Sequence, residues 1–132
     1  MIYQVQFLHE LEIRGILETV MGFSDFDKYQ KECGKTAVYP KIGERFVYPL
    51  LGLQGETGEV SEKIKKLFRD EGGKLSEEKR QEIAKELGDV LWYLAQLSKE
   101  IGIKFSDVAR GNLKKLASRK VRGKLHGNGD NR

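Results

Sequence analysis

The chain has 132 residues, 39% hydrophobic and 33% charged, with a net charge of +4. That length and balance fit one folded domain, and no apolar run approaches the roughly 18 residues that a membrane-spanning helix needs. Cys33 is the single cysteine, which excludes an internal disulfide; with no secretory-signal pattern at the N-terminus, a cytoplasmic location is expected.

Apolar residues recur at three- and four-residue spacing and only Pro40 and Pro49 interrupt them, so the expected fold class is all-α, an antiparallel four-helix-bundle-like core. Residues 1–22 read as an N-terminal extension, with a short amphipathic helix as the alternative, because Gly15 interrupts the apolar pattern of Phe7, Leu8, Leu11, Ile16, Leu17 and Val20. The first core helix is expected over 25–37, capped by Ser24 or Asp25. A loop with Pro40 and Gly43 follows. The second helix is expected over 46–69, with Pro49 tolerated in its first turn and Gly72-Gly73 closing it. Ser76 caps a third helix to 101, with Glu77 and Glu78 at the positive end of its dipole and Gly102 as its stop. A fourth helix is expected over 106–122, followed by a loose Gly- and Asn-rich tail over 123–132. The core domain is thus 23–122.

Charge is unevenly distributed. Residues 110–124 hold seven basic side chains and no acidic one, leaving the rest of the chain at −3. A basic segment beside an acidic body points to an anionic ligand at their junction.

The informative residues are two acidic pairs, Glu56-x-x-Glu59 and Glu86-x-x-Asp89, each spaced to put both side chains on one side of a helix. On the second helix Phe46, Leu50, Leu53, Val60, Ile64 and Leu67 form an apolar stripe; on the third, Ile83, Leu87, Val90, Leu94, Leu97 and Ile101 do. Each acidic pair is offset from its stripe in the same sense. If the two helices pack antiparallel through their stripes, as their short connection favours, the four carboxylates converge on one edge. Like charges at contact distance raise one another's pKa or destabilise the fold, and a divalent cation resolves the conflict. All-oxygen ligation without His or Cys selects a hard ion, Mg²⁺ or Mn²⁺. Acidic helix residues are more often solvated and lysine-paired, and Glu59–Lys63 and Glu62–Lys66 have that spacing; the matching offsets of two pairs outweigh that reading. Glu82, one turn before Glu86, adds charge to the same edge.

Taken together, Gly52-Leu-Gln-Gly-Glu56-Thr-Gly-Glu59-Val and Glu86-Leu-Gly-Asp89-Val-Leu-Trp-Tyr resemble the hallmark of the MazG-like all-alpha nucleoside triphosphate pyrophosphohydrolase superfamily, and the similarity covers about 23–122. The resemblance implies hydrolysis of a nucleoside triphosphate between its α- and β-phosphates, giving monophosphate and pyrophosphate. It also implies metal and catalytic roles for Glu56, Glu59, Glu86 and Asp89, one of which, with Glu59 a candidate, orients the attacking water. Lys63 is a candidate phosphate contact, with a surface ion pair as its alternative, and Asn112, Lys115 and Arg119 offer an amide and two cations along one face of the last helix. Tyr29, Gln30, Trp92 and Tyr93 are candidates for contacting the base, although aromatic residues at helical spacing are by default core. The family builds its site from more than one subunit, so a homodimer or tetramer is expected.

A basic helical nucleic-acid-binding module without catalysis is the competing reading. It accounts for 110–124 but leaves unexplained four carboxylates that, without metal, repel phosphates; neither nucleic acid nor membrane is an expected partner. A carboxylate-bridged di-iron bundle ordinarily needs Glu-x-x-His pairs, and the only histidines, His9 and His126, lie outside the core helices.

Overall fold

Four α-helices and one 3₁₀ turn account for the regular structure of residues 24–129, which the computed structural model describes. They are α1 (Ser24–Cys33), the turn Gly34–Thr36, α2 (Val47–Glu71), α3 (Glu77–Glu100) and α4 (Phe105–Val121). No strand occurs among the described residues, so the all-α class holds. The expected extension over 1–22 lies outside the described residues.

Local chemistry explains the boundaries. The first helix is shorter than expected: the chain tightens into a 3₁₀ turn at Gly34, a poor helix former. In α2, Pro49 sits in the first turn, where its missing N–H leaves no bond unmade, and its ring is buried. Gly72 and Gly73 end α2 with φ of 62° and 76°, a left-handed conformation that a side chain would strain, and both N–H groups donate to the Leu67 carbonyl. Ser76 caps α3 through Oγ, which accepts from the Lys79 N–H at 3.2 Å. Gly102 stops it at φ 76°.

The chain divides into two compact units. One is Lys28–Ile103; the other holds the described residues 24–27 and 104–129. The first is built on the antiparallel hairpin of α2 and α3. The paired positions run Gly52 with Tyr93, Glu56 with Glu86 and Asp89, Lys63 with Glu82 and Glu86, and Glu71 with Lys79. At its far end, Gln30 Nε2 donates to the Ala95 and Ile103 carbonyls, each at 3.1 Å. This bond ties the second half of α1 to the end of α3.

The packing departs from the stripe-on-stripe expectation. Leu67 is buried and Leu53 and Val60 are half-buried, yet Phe46, Leu50 and Ile64 on α2 and Leu87, Leu94 and Ile101 on α3 are exposed. Ile83, Val90 and Leu97 on α3 are half-buried as well, so half of each stripe is covered beside the row just named and the other half stays on the surface.

In the other unit the expected cap of α4 is replaced by a long-range one. Ser106 lies inside the helix, and Asp27 receives both its backbone N–H (3.0 Å) and its hydroxyl (2.9 Å). A carboxylate here satisfies orphan N–H groups at the positive end of the dipole. Phe26 meets the buried Phe105 edge to face, with centroids 5.5 Å apart.

Candidate metal centre

Glu56 projects from the third turn of α2, and Glu86 and Asp89 from the middle of α3. The antiparallel hairpin sets them opposite one another, and one carboxylate oxygen from each lies within 4.8 Å of the others. Glu56 and Glu86 are half-buried; Asp89 is exposed. Burial, with the negative charges of Asp89, Glu86 and Glu59, holds the Glu56 carboxyl above its usual pKa. Such a cluster of oxygen donors is what a small divalent ion selects. Glu59 stands outside the tight group, exposed on α2, and reaches the row through its charge on Glu56.

Lys63 does not pair with Glu59, four residues before it. Its ammonium crosses to α3, 3.6 Å from Glu86 and 3.9 Å from Glu82. The Glu62–Lys66 pair forms at 3.4 Å, and Lys65 also binds Glu62. Lys63 therefore neutralises one flank of the row.

A wall of aromatic rings begins one turn further along α3. Gly52 is necessary to it, because a Cβ at 52 would fall inside the Tyr93 ring. Burial and the nearby Tyr48, Glu56 and Asp89 raise the pKa of the Tyr93 phenol. Trp92 meets Tyr93 edge to face at 4.9 Å and Tyr39 at 6.1 Å, and its Nε1–H donates to Thr36 Oγ1 at 2.9 Å. Tyr39 in turn stacks on Tyr48 at 5.2 Å, with the rings 10° from parallel. These residues, with Val38 and Pro40, line a cleft of about 260 Å³, an aromatic surface of the kind that takes a flat ring.

The remaining candidates are otherwise engaged or belong to the other unit. Tyr29 is near enough to Asp89 to feel its charge; burial first, then a hydrogen bond to the buried Cys33, push its phenol up to about 12. Gln30 spends its amide nitrogen on two backbone carbonyls, a structural occupation. Asn112 is exposed and Lys115 half-buried on α4, in the other unit. Arg119 is 5% exposed, and its guanidinium donates to the Gly129 carbonyl at 3.3 Å. Tyr39 and Tyr48 were missed by sequence reasoning. Tyr39 lies in a segment with no helical periodicity, and Tyr48 is one position from the Pro49 that marks the helix start.

Residues 49–122, more than half of the chain, match the family described as the MazG nucleotide pyrophosphohydrolase domain. A protein of Mycobacterium phage L5, named only as the gene 37 protein, is 45% identical over 111 residues, covering 80% of this chain and 97% of the relative. No solved structure matches. The match to the family contains the carboxylate row, Lys63, the aromatic pair of α3 and the basic face of α4.

Proposed function

Since the chain belongs to the MazG nucleotide pyrophosphohydrolase domain family, we propose that it hydrolyses nucleoside triphosphates between the α- and β-phosphates in a Mg²⁺-dependent reaction, releasing monophosphate and pyrophosphate, as nucleotide-pool housekeeping in the cytoplasm. The convergence of Glu56, Glu86 and Asp89 carries this reading. The donor set suits the ion: three carboxylates, one with a raised pKa, leave negative charge uncompensated where a hard cation with retained waters would sit. When bound, Mg²⁺, or Mn²⁺ in its place, neutralises phosphate charge and acidifies water.

The other roles belong to the chain itself. Glu59, exposed beside the row, accepts a proton from the attacking water or completes the ligand set. Lys63, 3.6 Å from Glu86, offers an ammonium to phosphate oxygens at the edge of the row. Trp92 and Tyr93 hold the base in the cleft, with Tyr39 and Tyr48 extending its wall. Asn112, Lys115 and Arg119 remain candidate phosphate contacts on α4; Arg119 must leave its buried position to act as one.

The exposed stripe residues support a homodimer or tetramer. Leu50, Leu87, Leu91 and Leu94 are each more than a third exposed in the isolated chain, and apolar helix faces of this kind are stably covered by a second copy. Light scattering at micromolar concentration is expected to give at least twice the 15.1 kDa chain mass.

The deciding experiment incubates the purified protein with Mg²⁺ and a panel of canonical and modified nucleoside triphosphates, resolving monophosphate, diphosphate, pyrophosphate and phosphate. Monophosphate with pyrophosphate, lost on chelation and in Glu59→Gln, is expected. Diphosphate with phosphate would overturn the assignment of the cleaved bond.

A further inference from the structure

A second concavity lies further along the same hairpin, and neither the carboxylate row nor the aromatic cleft uses it. It has a volume of about 150 Å³ and is lined by Ala37, Tyr39, Lys41, Arg45, Lys99 and Glu100. A single water needs about 10–15 Å³ of such space, so there is room for a tetrahedral oxyanion. Alternate residues of the segment between α1 and α2 serve the two hollows. Thr36, Val38 and Pro40 line the aromatic cleft and Ala37 and Lys41 the second pocket, while Tyr39 lines both. The segment is therefore a strap dividing an aromatic site from a cationic one.

The charge of the pocket is unbalanced. Its single carboxylate, Glu100, is 13% exposed and spent on both oxygens: Oε1 accepts the Tyr39 hydroxyl at 2.8 Å and Oε2 meets Arg45 Nε at 3.3 Å. Lys41 and Lys99 have no carboxylate partner among the described residues. Lys99 Nζ lies over Gly34, 2.9 Å from where a Cβ there would stand. A lysine in the last turn of a helix ordinarily complements its dipole. That explains Lys99, but not why Lys41 and Arg45 arrive at the same hollow from another segment.

We propose that this pocket is an anion site, separate from the metal row, that takes a single phosphate group between Lys41, Lys99 and the free edge of the Arg45 guanidinium. The occupant is inorganic phosphate or the phosphate of a nucleoside monophosphate. It pins the strap to the end of α3, and through Tyr39 it firms the wall of the aromatic cleft.

The test uses the full-length protein without divalent metal. Trp92 is the only tryptophan and is bonded to the strap through Thr36, so its emission reports strap position. Sodium phosphate is titrated at constant ionic strength against sodium chloride, with calorimetry in parallel. A saturable response to phosphate is expected, weakened at least about tenfold in the Lys41→Gln/Lys99→Gln double variant, because charge-assisted hydrogen bonds are removed, and kept in Glu56→Gln. An equal response in wild type and double variant, or one that chloride reproduces, would overturn the site. A second arm repeats the titration with a nucleoside monophosphate: weakening by the same factor identifies a phosphomonoester as an occupant, and no weakening identifies free phosphate as the ligand. Neither arm involves turnover, so a negative result leaves the hydrolase reading intact, and an inactive enzyme leaves this site intact.

Discussion

Glu82 and Glu56 face the partner helix of one hairpin a few turns apart, and their surroundings are opposite. Glu82 lies among lysines: Lys79 hydrogen-bonds it at 3.1 Å and 3.2 Å, Lys63 approaches to 3.9 Å, and these cations lower its pKa. Glu56 lies among carboxylates, and its pKa is raised by burial and by three negative neighbours. Both positions are acidic residues on exposed helices, so composition does not separate them. A fold tolerates unbalanced charge where a ligand brings the balancing charge, and the balanced end of the hairpin shows that the sequence had lysines to use.

The sharpest way to break this contrast is Glu56→Gln. It should lower kcat/KM on the order of 10²–10³-fold or more and, in metal-free buffer, raise Tm by roughly 2–4 °C by relieving the cluster. Glu82→Gln at the balanced end should leave Tm of the metal-free protein unraised; a gain equal to that of Glu56→Gln would show that the row carries no special repulsion. Mg²⁺ should stabilise wild type, by about 2.7 kcal/mol at a hundred times its Kd, and Glu56→Gln much less, as thermal melts with and without chelator will show.

Gly52→Ala comes next in size. The added methyl must displace the Tyr93 ring or spread the hairpin, an overpacking that costs about 1–3 kcal/mol. Denaturant midpoints should fall, and nucleotide binding followed by Trp92 emission should weaken with them; a stable variant with unchanged binding would mean that Tyr93 does not form part of the cleft.

The smallest effect is at the other unit. Backbone and hydroxyl hydrogen bonds from Ser106, with Lys104 and Arg110 nearby, lower the Asp27 pKa. Its contribution is present above the unfolded value near 3.9 and is lost as pH falls through the lower folded value. Wild type should therefore lose Tm on acidification below about pH 4 more steeply than Asp27→Asn, and parallel acid limbs would show that this cap contributes nothing.

How far the sequence could be read follows from these same residues. Helix identities and the caps at Ser76, Gly72 and Gly102 were legible because each rests on neighbours in the chain. Glu56, Glu86 and Asp89 were legible because helical spacing and one antiparallel turn suffice to place them together. Lys63 was harder to read, since its partners Glu82 and Glu86 lie across the hairpin while a local partner, Glu59, stood at the favoured spacing. The half-exposed stripes were misjudged because periodicity marks an apolar face without saying what covers it. The cap that Asp27 gives to Ser106 and the clasp of Tyr39 on Glu100 span 79 and 61 residues, and no local pattern announces either.

The strap carries one more consequence. Apart from Tyr39, which lines both, its side chains alternate between an aromatic cleft and a charged pocket across 36–41, so parity, rather than length alone, is the quantity to keep in any redesign. Deleting or inserting one residue between Val38 and Lys41 would turn one of the two toward the wrong hollow, whereas a change of two would keep both on their own sides.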